Sequence, residues 1–355
     1  MNDTSTDSPI HPVIIIGAGQ AGLATAYYLQ RAGIRPLLFD DQPSPGGAWL
    51  HVWPSMTLFS TSDFSNLPGK PMPKFEGFPP AEHVVKYLAD YEKRYDFDVR
   101  RPVKVTSVEA IETDETDSGI VFTVHAESSE GAGETYRARH IVAATGTWSS
   151  PFVPAVPGRF TGRQWHSANY PGSEAFRGSS VAVVGAANSA AQLAAELALD
   201  PEVGEVTWYT RHEPRWMPDD VDGRVLFQRN SQRALAVLRG EPDPGADSAL
   251  GDIVMLPAVK QARDQGLLTA TPMFHTLDDV HSDHIIWCTG FRPALGPVRG
   301  LLTGRKPKYP GVHLVGYGDW VGPGSATITG VGPSAKAAAL AVIEAEGRES
   351  ATMAD

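Results

Sequence analysis

The chain has 355 residues, which is enough for two domains that each bury a sizeable core. Its formal net charge of −11 argues against nonspecific binding to nucleic acid or to an anionic membrane surface. The single cysteine, Cys288, excludes an intrachain disulfide and a CxxC redox pair, and no Cys/His cluster has metal-site spacing. Residues 1–11 are polar, and no apolar run is long enough for a signal core or a membrane span. We expect a cytoplasmic protein with a disordered tail at 1–11 and no bound metal, nucleic acid or membrane.

The first strong pattern is a β-branched run at 13–16, a glycine-rich turn and a helix over 23–32 that ends at Gly33. The run is typical of a strand buried on both faces. The turn has GxGxxG spacing: its first glycine permits the bend, its second lets a pyrophosphate approach, and its third lets helix pack on strand. The helix N-terminus adds free N–H groups for that pyrophosphate. The residues of this motif are Gly17, Gly19, Gln20 and Gly22.

A second strand, over residues 36–39, ends in Asp40 and completes a βαβ unit. An acid at this position can hold the ribose hydroxyls of an adenosine. A glycine-rich turn without a ligand is the alternative, and the strand, helix and acid together argue against it. The sequence therefore predicts a first dinucleotide site for an adenosine with free ribose hydroxyls.

The segment GGAW follows at residues 46–49, within a Pro/Gly-rich loop. Gly47 would let the backbone lie close to a flat ring and Trp49 would form a wall beside it, although a simple turn has the same composition. Residues 52–78 are rich in aromatics, proline and serine, which predicts an irregular loop. Such a loop either lines a pocket or covers a surface, and the sequence does not choose between the two.

Helical spacing of apolar residues predicts a helix over 81–95, and alternation predicts strands within 103–126 around a turn at 112–119. A further strand, residues 136–144, ends in the triplet ATG with Gly146 last. A similar strand and triplet recur at 285–290 as IIWCTG. Resemblance to other proteins with this pattern, more than physics, implies that both triplets mark places where the chain crosses between domains beside a bound cofactor.

A second copy of the opening pattern begins with a strand at 180–184 and continues as GAANSA and a helix to about Leu199. Its predicted binding residues are Gly185, Asn188 and Ser189, while alanines replace the second and third glycines and weaken the match. The next strand, 205–209, leads to Arg211 where the first copy has Asp40. An arginine there can pair with a 2′-phosphate, so this copy predicts an NADP(H) site. A solvated surface charge is the alternative interpretation of Arg211.

The segment 213–270 is charged and interrupted by prolines, with a helix predicted over 231–239. We interpret it as an insertion that covers either the nicotinamide site or a dimer surface. Short strands are predicted within 269–287, a strand over 311–315, and a last helix from Val331. Asp319 lies just beyond a strand end, where a carboxylate can bind a ribityl hydroxyl, and the last helix can turn its N-terminus to a reduced flavin.

Residues 160–170, FTGRQWHSANY, resemble the FxGxxxHxxx(F/Y) fingerprint of class B flavin-dependent monooxygenases, with all four fixed positions matched. The resemblance implies an α/β, flavoprotein disulfide-reductase-like fold of two Rossmann-like domains: FAD-binding residues 12–150 and 291–355, and an inserted NADPH-binding domain at 151–290. It implies FAD at the first site and NADPH at the second, and it makes His166 a positioning residue. The residues implied for FAD are Gly17, Gly19, Gly22, Asp40 and Asp319, and those for NADPH are Gly185, Asn188, Ser189 and Arg211.

The stretch from GGAW through residue 73 is similar to short flavin monooxygenase-like proteins of bacterial arsenic-resistance operons and to YUCCA-type monooxygenases. The resemblance implies oxygen transfer from O₂ through a C4a-(hydro)peroxyflavin to a small molecule, such as an arsenical or another soft nucleophile, with no catalytic acid–base pair. Residues 57–60 lack the asparagine of N-oxygenating members, and the fingerprint is not the Baeyer–Villiger form. An NADPH oxidase or electron-transfer reductase and a non-enzymatic nucleotide sensor stay open, as does a homodimer.

Overall fold

A computed structural model describes residues 9–347, except 117, 129–130, 132, 220, 222–224, 226–231, 234, 237–238, 243–250 and 323. The helices are α1 (Gln20–Arg31), α2 (Ala81–Tyr95), α3 (Asn188–Leu199), α4 (Pro257–Asp264) and α5 (Val331–Ala345). The strands are β1 (Ile10–Ile16), β2 (Leu37–Phe39), β3 (Asp98–Arg100), β4 (Val103–Glu112), β5 (Ile120–Ser128), β6 (Gly133–Ala143), β7 (Arg163–His166), β8 (Val181–Val184), β9 (Val206–Thr210), β10 (Ala270–Pro272), β11 (His284–Trp287), β12 (Leu302–Thr303), β13 (Lys306–Pro307) and β14 (Val312–Leu314).

The first sheet is parallel in the order β3-β2-β1-β6, and β14 continues it beside the C-terminal half of β6. The N-terminal half of β6 pairs instead with β5, and β5 with β4, as an antiparallel meander. In β1, Val13 and Ile15 pack with α1, α2 and α5, whereas Ile14 and Ile16 pack against the meander layer. Cover on both faces explains why this strand is an unbroken β-branched run.

The second sheet has the order β10-β9-β8-β11-β7 and is entirely parallel. The helices α3 and α4 pack on it through a core that includes the buried Trp208. The predicted α/β class is confirmed. The two sheets use residues 10–143 with 312–314 and residues 163–287, and the domain boundaries at 150 and 290 stay a prediction.

Several predicted boundaries differ from the structure. β1 begins at Ile10, so the tail predicted for 1–11 is too long, and residues 1–8 lie outside the described residues. α1 begins at Gln20 rather than at 23, because the glycines of the turn fit a helical first turn as well as a loop. Of the helix predicted over 231–239, residues 231, 234, 237 and 238 lie outside the described residues, and the backbone is helical at 232–233 and 235–236. Within the described part of the chain, no helix has both the length and the apolar character that a membrane crossing requires.

Two stacked histidines lie beside the end of α5, with ring centroids 5.8 Å apart. Neither His140 Nδ1 nor His313 Nε2 has a hydrogen-bond partner among the described residues, and Glu346 Oε1 lies 3.5 Å from His140 Nε2. Burial, with a smaller contribution from His140, lowers the pKa of His313 from 6.5 to about 4. Both rings therefore favour the neutral form in the folded protein.

We expect acid to destabilise the protein through His313. Its folded-state pKa lies below the unfolded value, so its contribution is complete above pH 6.5 and is lost as pH falls toward 4. The loss from this residue amounts to about 2 kcal/mol at about pH 5. Denaturant unfolding across this range should show a shallower pH dependence for His313→Asn, whereas the exposed control His281→Asn should retain the wild-type slope. A wild-type slope in His313→Asn would contradict the assignment.

Candidate functional site

The first glycine-rich turn lies at the carboxyl ends of three parallel strands. The Gly17 N–H donates to the Phe39 carbonyl at the end of β2, at 2.7 Å. The Ala144 N–H, just after β6, donates to the Ile16 carbonyl at 2.8 Å. This edge of an open parallel sheet is where α/β folds bind ligands.

The GGAW loop lies directly on this turn. A Cβ built on Gly47 would be 2.9 Å from the Gly19 Cα, and the Gly47 φ is +56°. Both the close approach and the left-handed backbone therefore favour glycine at position 47. The result is a cradle of bare backbone, which fits the approach of a pyrophosphate to the start of α1.

Gln20 joins three segments around this cradle. Its Oε1 accepts a hydrogen bond from Trp49 Nε1 at 3.0 Å, and its Nε2 donates to the Ala326 carbonyl at 2.7 Å. Ala326 follows the short 3₁₀ turn Gly318–Trp320, which carries the exposed Asp319. Gly146 lies in the segment that follows Ala144, and a Cβ built on it would have no atom within 4 Å. The structure thus brings the GAGQAG motif, the GGAW loop and the loop after Asp319 together, while their roles toward a ligand stay predictions.

Asp40 lies at the end of β2 as predicted, but its carboxylate is already engaged. Arg101 Nε and Nη2 donate to its Oδ2 at 2.9 and 2.7 Å, and only 5% of the Asp40 side chain is exposed. Burial raises the pKa of Asp40, and the Arg101 contacts offset part of that rise. The sequence analysis did not find Arg101, or Glu92 that also binds it, because no local pattern places residues 92 and 101 beside residue 40.

The second glycine-rich turn repeats the backbone pattern of the first. The Gly185 N–H donates to the Tyr209 carbonyl at the end of β9, at 3.0 Å, and the Cys288 N–H donates to the Val184 carbonyl at 2.8 Å. Arg211 follows β9 directly; it is exposed, and no described carboxylate lies within ion-pair distance of it. The structure therefore puts Gly185 and the segment that carries Arg211 at one sheet edge.

Asn188 and Ser189 form the start of α3. Asn188 Oδ1 accepts the Val254 N–H at 2.8 Å and so holds the buried residues 253–256 against the helix N-terminus. The amide oxygen of Asn188 is thus used within the protein, and the contact predicted between Asn188 and NADPH stays a prediction. Whether the rest of 213–270 covers the nicotinamide site stays a prediction.

The fingerprint histidine connects two crossing segments. His166 Nδ1 accepts the Ala168 N–H at 3.1 Å, so the ring proton lies on Nε2, which donates to the Gly290 carbonyl at 3.0 Å. Burial lowers the pKa of His166 and favours this neutral form. Phe152 also donates its N–H to Gly290, so the two segments that join the sheets run side by side at this point. His166 thus links these two segments, and its positioning role toward a cofactor stays a prediction.

The aromatic loop at 52–78 contacts both sheets. Trp53 is buried in the core of the second sheet, and the Ser55 hydroxyl donates to Glu196 on α3. Farther along, the Tyr87 and Tyr91 hydroxyls of α2 donate to carbonyls of the loop at 2.6 Å. The loop is thus a packed bridge between the sheets.

The two glycine-rich turns lie at the carboxyl ends of parallel strands in the two sheets, which is the position where open α/β folds bind dinucleotides. The family model for pyridine nucleotide-disulphide oxidoreductases matches residues 14–313. A solved flavin-containing monooxygenase from Stenotrophomonas maltophilia is 38% identical, with 94% of this chain and 98% of that chain covered and a TM-score of 0.78. An uncharacterized CzcO-like oxidoreductase of Geobacillus kaustophilus is 27% identical over 91% of this chain and 96% of that protein. The indole-3-pyruvate monooxygenase YUCCA6 of Arabidopsis thaliana is 33% identical over 52% of this chain and 44% of its own length.

The chain belongs to the pyridine nucleotide-disulphide oxidoreductase family and, within it, to the flavin monooxygenases. The predicted monooxygenase resemblance is confirmed, and so is its similarity to the YUCCA enzymes. Flavin monooxygenases use FAD and NADPH, and they act on a small molecule and O₂. The sequence has a single cysteine, Cys288, which is buried, so these residues form no intrachain dithiol.

Proposed function

We propose that the chain is an FAD- and NADPH-dependent monooxygenase, with FAD in the first site and NADPH in the second. The observation that carries the proposal is the pair of equivalent turns, in which the N–H groups of Gly17 and Gly185 bond the ends of β2 and β9 in the same way. Asp40 follows the first of these strands and Arg211 follows the second. A carboxylate suits free ribose hydroxyls and a guanidinium suits a 2′-phosphate.

FAD held in the first site would supply the redox chemistry, which is the transfer of reducing equivalents from NADPH to O₂. One oxygen atom of O₂ enters the substrate and the other leaves as water, while NADPH and a proton become NADP⁺. The protein residues bind and orient: the N-terminus of α1 would bind the pyrophosphate, and Gln20, the first residue of that helix, holds Trp49 close to it. A soft nucleophile, such as an organic sulfide or a trivalent arsenical, is the substrate class to test first.

A second candidate, an NADPH oxidase or electron-transfer reductase, uses the same two sites. It is favoured by the sequence of residues 57–60, Thr-Leu-Phe-Ser, which has no amide side chain. Such a protein would reduce O₂ to H₂O₂ without transferring oxygen to a substrate.

The test is rapid mixing of the NADPH-reduced, anaerobic protein with aerated buffer, followed by absorbance. For a monooxygenase we expect a transient near-ultraviolet band that precedes the spectrum of oxidised flavin. Direct return to oxidised flavin with stoichiometric H₂O₂, with and without a sulfide or arsenical, would favour the oxidase. Bound FAD that NADPH fails to reduce would contradict both enzymes and indicate a sensor.

A further inference from the structure

Three charged side chains meet at the end of β2. Arg101 donates through Nε and Nη2 to Asp40 Oδ2, and through Nη1 and Nη2 to the two carboxylate oxygens of Glu92 at 2.9 and 3.0 Å. The exposed fractions of the Asp40, Arg101 and Glu92 side chains are 5%, 9% and 17%. Four of the five guanidinium N–H groups therefore donate hydrogen bonds. Because the guanidinium is planar, these bonds fix its orientation relative to both carboxylates.

The three residues come from different elements: Asp40 follows β2, Arg101 follows β3, and Glu92 is in the last turn of α2. The main chain is clamped as well, since the Asp40 N–H donates to the Arg100 carbonyl at 3.1 Å and the Val103 N–H donates to the Asp40 carbonyl at 2.8 Å. The direction of the Asp40 carboxylate is thus set by α2 and by the β3–β4 connection, as well as by β2.

An ionised carboxylate offers about four acceptor positions. In Asp40, Arg101 fills two of them, both on Oδ2. We infer that Arg101, anchored by Glu92, is a positioning residue that orients the Asp40 carboxylate so that its Oδ1 can accept a ribose hydroxyl of the FAD adenosine. This inference rests on the proposed function, and it assigns Arg101 to the adenosine half of FAD.

The pH dependence of FAD affinity gives a second, independent test of the inference. Asp40 faces the cation of Arg101 and the anions of Glu92 and Asp41, and burial already raises its pKa. Without Arg101 the like charges and the burial act unopposed, so the pKa of Asp40 rises further. A protonated Asp40 accepts the ribose hydroxyl less well, and we expect the loss of FAD affinity to grow as pH falls.

The experiment compares Arg101→Met with the wild type and with Arg100→Met, whose arginine is the exposed neighbour paired with Asp98. Apoprotein is titrated with FAD and, separately, with FMN, which lacks the adenosine, and flavin fluorescence reports the Kd. We expect Arg101→Met to weaken FAD about tenfold, because a charge-assisted hydrogen bond is lost or misdirected. The loss should be larger at about pH 6 than at about pH 8. FMN affinity should match the wild type, and Arg100→Met should match it for both flavins.

A wild-type FAD Kd in folded Arg101→Met would overturn the inference, and so would equal losses for FAD and FMN. If Arg101→Met does not fold, the same titrations are made with Glu92→Gln and Arg101→Lys. Both variants keep side chains of similar size and weaken the hydrogen bonds that hold the Arg101 side chain. Glu92→Gln should then weaken FAD and spare FMN, and the opposite result overturns the inference. Wild-type apoprotein that binds no FAD would refute the proposed function itself, a result that is distinct because the wild type is measured first.

Discussion

Gly22→Ala is expected to destabilise the protein by about 3 kcal/mol or more and to yield a purified protein depleted of FAD. A Cβ on Gly22 would lie 1.9 Å from the Gly17 carbonyl oxygen, well inside van der Waals contact. The obstacle is backbone on a buried turn, so α1 itself has to move away from β1. Because α1 carries the N–H groups of the first site, its displacement also removes the pyrophosphate position.

Gly300→Ala is the matched control, since a Cβ there meets open space in a 3₁₀ turn. This variant should unfold within about 0.5 kcal/mol of the wild type, because the added methyl only reduces the freedom of the unfolded chain. Denaturant unfolding and the flavin absorbance of the purified proteins provide the measurement. Wild-type stability in Gly22→Ala would show that the helix is not held as close to the turn as in this structure.

Arg211→Ala is expected to lower kcat/KM for NADPH by about 10- to 100-fold, because one charge-assisted bond to a phosphate is lost. The exposed guanidinium of Arg211 has no described ion pair that it would have to break in order to bind the 2′-phosphate. NADH lacks this phosphate, so its kcat/KM should change by less than about threefold. Initial rates of flavin reduction with each nucleotide give the preference directly.

Arg177→Ala is the control for this change of preference. Arg177 precedes β8 and is paired with Asp200 and Glu202, at the opposite end of the same sheet. It should leave the NADPH-to-NADH ratio unchanged. An unchanged ratio in Arg211→Ala would remove Arg211 from the NADPH site and make it a surface charge.

The sequence by itself determined the two strand–turn–helix units, because their signals are local. A β-branched run marks the strand, glycines at fixed spacing mark the turn, and good helix formers mark the helix. The helix α2 was also predicted from a local signal, the helical spacing of its apolar residues, and its observed bounds Ala81–Tyr95 match the predicted range. The fingerprint added the family, since its four fixed residues occupy a fixed interval between the two turns.

Only the tertiary structure decided which distant residues meet at the sites. Gln20 and Ala326 are separated by 306 positions, and Arg101 reaches Asp40 across 61. The contact of Asn188 with NADPH stays a prediction, whereas the hydrogen bond from the Val254 N–H to its Oδ1 was visible only in the structure. Such contacts arise from the packing of α2, α5 and the loops against the sheet edges. Side-chain hydrogen bonds between separate elements leave no periodic signal along the chain, because each partner satisfies only the local pattern of its own element.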